Sequence, residues 1–190
     1  MIDTVQRYRF TVDQYHQMGE AGIFDPDCRV ELIDGEIFEM SPIGPWHSGV
    51  VNRLNHRFVT GLRDRAVVHV QNPTVVDRRS EPQPDLMLLK PREDFYGTAH
   101  PTPDDALLVV EVAETSLRHD RGRKLSLYAR TGVLEVWIVN RKADAVEVFR
   151  NPSREGYREQ ISRGRGEDVA PAAFPDLRLS VDDILGPTSA

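Results

Sequence analysis

The clearest hydrophobic pattern along the chain lies between residues 107 and 140. Residues 107–110 form a short apolar run rich in β-branched side chains, which is typical of a strand buried on both faces. A polar turn and a stretch with helical spacing to about residue 131 follow, and residues 133–139 then have the pattern of a second buried strand. A strand–helix–strand unit of this length predicts two parallel neighbouring strands in one sheet.

Periodic segments before this unit predict further elements. Thr11 and Gln14 form a capping-box pattern, so we expect a short helix over residues 12–20. Apolar residues at three- and four-residue spacing predict an amphipathic helix over residues 46–64. A further apolar run predicts another buried strand over residues 84–90.

Residues 29–40 carry the strongest hairpin pattern in the chain. Their two β-prone arms are joined by Asp34 and Gly35, the dipeptide that a type I′ turn prefers. A two-residue loop at this position places Glu31 opposite Phe38 and therefore on the same face of the hairpin. This is an unusual place for a carboxylate on a purely structural hairpin.

The remaining segments have weaker patterns. Residues 66–77 predict an extended segment or a pair of short strands, and residues 91–105, which contain three prolines and a glycine, predict a long loop. Residues 145–150 and 157–162 predict a peripheral antiparallel pair, and a short helix is expected after Ser180.

The composition narrows the possible classes of protein. A chain of 190 residues is too short for two comfortable domains, so we expect a single α/β domain over residues 1–190. The net charge of −6 argues against a protein that coats nucleic acid, but it permits an enzyme that meets DNA through a local basic patch. With no signal-peptide core and no run of about 20 apolar residues, the protein is expected to be cytoplasmic.

The residues that commonly bind zinc do not form a recognisable motif. The single cysteine, Cys28, cannot form an internal disulfide or a multi-cysteine zinc site. His100 and His119 have no partners at metal-ligand spacing, which also argues against zinc.

Two acids and a lysine are the candidate chemical groups. Asp85 begins one predicted strand, Glu111 ends the next, and Lys124 lies on the helix that follows. Two carboxylates held close together by neighbouring strands need a cation, and oxygen ligands with positions left for water or phosphate suit Mg²⁺ or Mn²⁺. A nearby lysine can stabilise charge on a phosphate or help to position and deprotonate the attacking water. The set predicts a site that hydrolyses phosphodiesters.

Each of these residues also has a structural interpretation. Glu111 can be a buried acid that pairs with Arg121 or Arg123. Asp120 and Lys124 are four residues apart and can form an exposed helix pair worth only about 0.3–0.5 kcal/mol. The proline–aspartate step before the strand can be a simple turn.

Three pieces of the sequence together resemble the PD-(D/E)XK nuclease superfamily and, more narrowly, the Uma family of restriction endonucleases. In chain order they are VELIDGEIFEMSP, PQPDLML and VVEVAETSLRHDRGRKLSLYARTGVLEVWIV. The resemblance extends over nearly the whole chain. It implies a restriction-endonuclease-like core, in which helices flank a mixed central sheet, with an N-terminal β-hairpin. It also implies a Mg²⁺- or Mn²⁺-dependent endonuclease that acts on DNA as a homodimer.

The resemblance assigns roles to particular positions. The metal-binding acids of the superfamily fall on Asp85 and Glu111. The usual lysine position is occupied by Ala113, so the lysine role falls on Lys124 in the following helix. The additional acid and histidine of the family fall on Glu31 and His47.

Ala113 also supports a second hypothesis. Without a lysine at that position, and with an acidic surface, the chain can be a catalytically weak or inactive nuclease-fold protein. Such a protein would serve as a module that binds nucleic acid or a partner protein.

Overall fold

The computed structural model describes residues 6–187. The elements of its N-terminal half are α1 (Val12–Glu20), β1 (Val30–Ile33), β2 (Glu36–Glu39), α2 (Pro45–Leu62), a 3-10 turn (Arg63–Arg65), β3 (Val67–Val70) and β4 (Leu86–Leu89). Those of its C-terminal half are a 3-10 turn (Pro103–Asp105), β5 (Ala106–Ala113), α3 (Leu117–His119), a π-helical turn (Asp120–Lys124), α4 (Leu125–Arg130), β6 (Glu135–Asn140), a 3-10 turn (Arg141–Ala143), β7 (Ala145–Ser153), β8 (Gly156–Gly164), β9 (Asp168–Val169), β10 (Leu179–Ser180) and α5 (Val181–Leu185). The predicted single domain covers residues 1–190, of which residues 1–5 and 188–190 lie outside the described range. The extent of the domain therefore stays a prediction.

Strands β3 to β8 form one central sheet in which they lie in chain order. The neighbours β5 and β6 are parallel, as the strand–helix–strand pattern predicts, and the other neighbouring pairs of this sheet are antiparallel. The predicted peripheral pair is the β7–β8 hairpin at one edge of this sheet. The prediction of a mixed α/β fold with helices on a central sheet is therefore confirmed.

The N-terminal hairpin forms with the predicted register. Glu31 on β1 pairs with Phe38 on β2, and this hairpin is separate from the central sheet. Asp34 and Gly35 have φ values of 53° and 73°, the left-handed conformation that a type I′ turn requires at both positions. A Cβ atom at Gly35 would lie 2.9 Å from the Cα of Arg9, so the turn also needs glycine for space.

Helices cover both faces of the central sheet. The apolar stripe of α2 is buried against one face, in a cluster that includes Leu86, Val110 and Trp137. Leu127 and Tyr128 of α4 belong to a second cluster with Met87. Side chains of a strand alternate between faces, so the odd-numbered positions of β4 and β5 face α4. Glu111 therefore points towards the helix that carries Lys124.

Some predicted boundaries were wrong. The helix expected to run continuously to about residue 131 is interrupted by the π-helical turn, and the helix expected over 46–64 ends at Leu62, where Arg63 has a φ of 49°. The strand that was predicted to end at Glu111 continues to Ala113, because β6 pairs with it to that residue.

No helix within residues 6–187 has the length and apolar character that crossing a membrane requires.

Candidate active site

The side chains that the sequence singles out lie together near the N-terminal end of β4, next to β5. They line one cavity of about 270 Å³, which also contains Asp120 and His119. The predicted members of this cavity are Glu31, His47, Asp85, Glu111 and Lys124. Their roles stay predictions, but the structure brings all five residues to one place.

Asp85 is held in a fixed orientation by groups from two other elements. Its Oδ2 accepts a hydrogen bond from the backbone N–H of Val112 at 2.8 Å, and its Oδ1 lies 3.0 Å from the Nε2 of His47 on α2. Burial raises the pKa of Asp85, but His47 and Val112 act more strongly and lower the pKa below its ordinary value. Asp85 is thus a buried, oriented carboxylate, and it does more than form a turn.

Lys124 lies between Glu111 and Glu31. Its Nζ is 2.8 Å from Glu111 Oε1 and 3.3 Å from Glu31 Oε2, and the lysine side chain is only 3% exposed. Burial alone would lower the pKa of Lys124, but the surrounding acids raise it well above its ordinary value. The lysine is therefore an ammonium ion in this cavity.

For Glu111, burial affects the pKa more strongly than the ion pair with Lys124 does. Burial raises its pKa well above the ordinary value, the charge of Lys124 opposes this shift, and the neighbouring acids reinforce it. The hydroxyl of Tyr128 donates a 2.7 Å hydrogen bond to Glu111 Oε1. The acids that line this cavity outnumber its two permanently charged basic side chains, Arg29 and Lys124, so ionisation of all of them requires additional positive charge.

Two of the structural interpretations are contradicted by these contacts. Arg121 pairs with Glu147 and Arg123 pairs with Glu36, so neither arginine neutralises Glu111. Asp120 and Lys124 are both buried, so they are not an exposed helix pair.

Asp120 and Tyr128 are site residues to which the sequence assigned no role. Asp120 accepts a hydrogen bond from the hydroxyl of Ser116, and burial raises the pKa of Asp120 despite the opposing charge of Lys124. Both residues follow Glu111 on the crossover connection. One feature of the sequence could have indicated that Asp120 and Tyr128 belong to the site. Asp120, Lys124 and Tyr128 are spaced four residues apart, which places them on one face of a helix.

Glu31 is bound from three directions, which explains its place on the hairpin. It contacts Lys124, lies 3.1 Å from the Nε2 of His119, and accepts a 3.1 Å hydrogen bond from the backbone N–H of Gln83. Burial raises its pKa, but these partners outweigh burial and lower the pKa of Glu31 to about 2. The hairpin thus contributes an acid that is ionised at neutral pH to the cavity.

Replacing Glu31 with glutamine is expected to lower the free energy of unfolding of the metal-free protein by about 2–3 kcal/mol at neutral pH. The pKa of Glu31, about 2 in the folded protein, lies below its ordinary value of 4.5. Its stabilisation is therefore complete above pH 4.5 and is lost as the pH falls towards 2. Urea unfolding at several pH values measures this effect, with the exposed Glu93→Gln as the matched control. A difference between wild type and Glu31→Gln that does not shrink on acidification would contradict this account.

The donor set of the cavity fits a hard divalent cation. Asp85 and Glu111 offer carboxylate oxygens, and the cavity leaves room for water or phosphate oxygens beside them. Mg²⁺ is commonly bound in this way, by one or two carboxylates together with water and substrate phosphate. A cation here would also supply the positive charge that the buried acids lack.

A family model and one superposed crystal structure agree with this fold. The family model Uma2, described as "Putative restriction endonuclease", matches residues 12–182. A crystal structure of a putative nuclease belonging to DUF820 from Anabaena variabilis superposes with a TM-score of 0.72 at 15% identity, covering 93% of this chain and 97% of that chain. The type IIG restriction endonuclease BpuSI superposes with a TM-score of 0.42 at 16% identity, covering 77% of this chain and 17% of that chain. The comparison with curated proteins gives no match.

Proposed function

Because the chain belongs to the Uma2 family of restriction-endonuclease-like proteins, we propose that it is an endonuclease that hydrolyses phosphodiester bonds in DNA with the help of Mg²⁺ or Mn²⁺. The observation that carries this proposal is the meeting of Asp85, Glu111 and Lys124 in one cavity. These residues lie on separate elements, and a purely structural protein has no need to bury them together.

In this proposal Asp85 and Glu111 hold the metal. The bound cation would act as a Lewis acid on the phosphate and would lower the pKa of a water molecule. Asp85 is suited to this role because His47 and the N–H of Val112 fix the direction of its oxygens. His47 is therefore a positioning residue, acting through Asp85.

Lys124 would stabilise negative charge on the reacting phosphate. Acids surround its ammonium group, which favours the charged form and makes the lysine a poor base. A buried cation at this position acts in a low dielectric, where its effect on a developing charge is large. Lys124 approaches Glu111 from the helix side, so the lysine role does not require a lysine at Ala113.

A groove next to the cavity offers positive charge for the DNA backbone. Arg118, Arg123 and Arg130 line this groove, which shares Ser116 and His119 with the cavity. Arg123 and Arg130 are paired with Glu36 and Asp34, and DNA phosphates would compete with these acids for the two arginines. Arginine side chains of this kind position a duplex through its phosphates without reading sequence. A homodimer would bring two such sites to the two strands of one duplex.

Incubation of purified protein with supercoiled and linear DNA tests this function. We expect nicked or cut products with Mg²⁺ or Mn²⁺, none with a chelator, and none from Asp85→Asn. The exposed Asp104→Asn should cut as the wild type does. Cleavage that survives in Asp85→Asn would contradict the assignment. DNA binding that is steeply salt-dependent but independent of metal, without cleavage, would instead support the non-catalytic binding module.

A further inference from the structure

A second group of metal-ligating side chains lies outside the cavity. His16 is on α1, Glu81 lies in the segment that leads to β4, and His100 lies in the long loop before β5. One ligand atom from each residue lies within 4.8 Å of the other two. None of the three lines the cavity of the candidate active site.

Glu81 is the fixed member of this group. Its side chain is 5% exposed, and its backbone exchanges two hydrogen bonds with Leu32 of the hairpin, at 2.7 and 3.3 Å. The carboxylate Oε2 of Glu81 lies 2.7 Å from the Nε2 of His16. A buried carboxylate on an immobilised backbone is a preorganised ligand.

His100 lies on an anchored part of its loop. The carbonyl of the next residue, Pro101, accepts hydrogen bonds from the N–H of Val75 and the hydroxyl of Thr74. The rings of His16 and His100 have their centroids 6.3 Å apart. A simple ion pair between His16 and Glu81 would not require this second imidazole.

The distances are close to those of a zinc site. Zinc–nitrogen and zinc–oxygen bonds of roughly 2.0–2.2 Å in a tetrahedral site place neighbouring ligand atoms about 3.3 Å apart. The distances between the three ligand atoms lie around this value. His16 Nε2 and Glu81 Oε2 are 2.7 Å apart, and no pair of ligand atoms is more than 4.8 Å apart. Small side-chain rotations would complete the geometry, and both histidines are exposed, so a cation can enter from solvent.

His69 adds a further uncharged imidazole nearby. Burial lowers its pKa, a backbone hydrogen bond to Pro73 opposes this, and His100 lies close enough to lower it further. Its Nε2 is buried and has no hydrogen-bond partner among the residues described.

We propose that His16, Glu81 and His100 bind a zinc-class divalent cation, with two imidazoles and one carboxylate as ligands and water at the fourth position. A cation bound here would join α1, the segment before β4 and the long loop, which are distant in sequence. The sequence offered no zinc motif, since His100 has no ligand close to it in the chain, and the fold supplies its partners. Two imidazoles favour Zn²⁺ over Mg²⁺, so the site differs in chemistry from the carboxylate cavity.

Zinc titration of tag-free, chelator-treated protein tests this proposal. The Glu111→Gln background is used because this substitution is expected to weaken metal binding at the candidate active site at least tenfold. In that background we expect about one equivalent of Zn²⁺ to bind, and the melting temperature to rise by about 5–10 °C at a hundredfold excess over Kd. Substituting His16→Ala or His100→Ala should weaken binding at least tenfold and remove the rise in melting temperature. The exposed His56→Ala, on α2, should change neither.

A second measurement guards against a variant that does not fold. Co²⁺ bound in place of Zn²⁺ gives visible absorption bands that depend on its ligands. The His100→Ala variant changes only an exposed loop side chain. It should lose these absorption bands and keep its circular dichroism spectrum. Failure of the Glu111→Gln protein to bind Zn²⁺ would overturn the proposal. Unchanged Zn²⁺ binding in both His16→Ala and His100→Ala would overturn it as well.

Discussion

Replacing Glu111 with glutamine is expected to reduce metal-dependent DNA cleavage by at least about 10³-fold. The substitution keeps the size of the side chain but removes one of the two carboxylates proposed to hold the metal. A bound metal contributes several kcal/mol of charge stabilisation, and each 1.36 kcal/mol corresponds to a factor of ten in rate. Initial rates of plasmid nicking at saturating Mn²⁺ measure the effect.

The matched control for this experiment is Glu155→Gln, which alters an exposed glutamate in the turn between β7 and β8. It should nick DNA at the wild-type rate. Glutamine at residue 111 can still accept the hydrogen bond from Tyr128, so the variant should fold. A folded Glu111→Gln protein that retains more than about a tenth of wild-type activity would show that Glu111 is not a metal ligand.

Replacing Lys124 with methionine is expected to abolish cleavage and to destabilise the metal-free protein by about 3–5 kcal/mol. Methionine fills much of the space of lysine, so the loss is mainly one of charge. Glu111 and Glu31 would then be buried without the ammonium group that both contact. Removing one partner of a buried ion pair costs this much because the remaining charge has no compensation.

Urea unfolding with and without Mn²⁺ measures the second effect. Added Mn²⁺ should recover part of the lost stability, because a cation bound by Asp85 and Glu111 replaces some of the missing charge. It should not recover cleavage. The exposed Lys142→Met serves as control and should match the wild type in both assays. A Lys124→Met protein as stable as wild type in the absence of metal would contradict the proposed ion cluster.

Local patterns predicted most of the elements because their determinants lie within a few residues. The Asp34–Gly35 turn fixes the register of the hairpin, and with it the face on which Glu31 lies. Apolar spacing predicted α2 and the strand–helix–strand unit. The parallel pairing of β5 and β6 then followed from the length of the connection between them.

The details of the site depend on contacts that local patterns do not contain. Asp120 and Lys124 have the spacing of an exposed ion pair, and only the packing of their helix against β5 and the hairpin shows that both are buried. The π-helical turn that carries them has a different backbone hydrogen-bond pattern but no distinctive sequence. The partnership of Glu31 with His119 joins residues 88 positions apart, beyond the reach of any spacing argument.

The group of His16, Glu81 and His100 was invisible in the sequence for the same reason. Zinc motifs are recognised by ligands that lie a few residues apart, whereas His16 and Glu81 are 65 positions apart. The fold brings them together because the backbone N–H of Val12, at the start of α1, donates a hydrogen bond to the carbonyl of Arg78, three residues before Glu81. This group was therefore found only in the folded chain, since neither close spacing nor the family resemblance pointed to it.

Calorimetric titration of Mn²⁺ tests the central claim most directly, which is that Asp85 and Glu111 together hold a divalent cation. The titration uses the His100→Ala background, so that the histidine group does not contribute. We predict saturable binding in this protein and at least tenfold weaker binding after the further change Glu111→Gln. Absence of Mn²⁺ binding, or equal binding in the two proteins, would contradict the account.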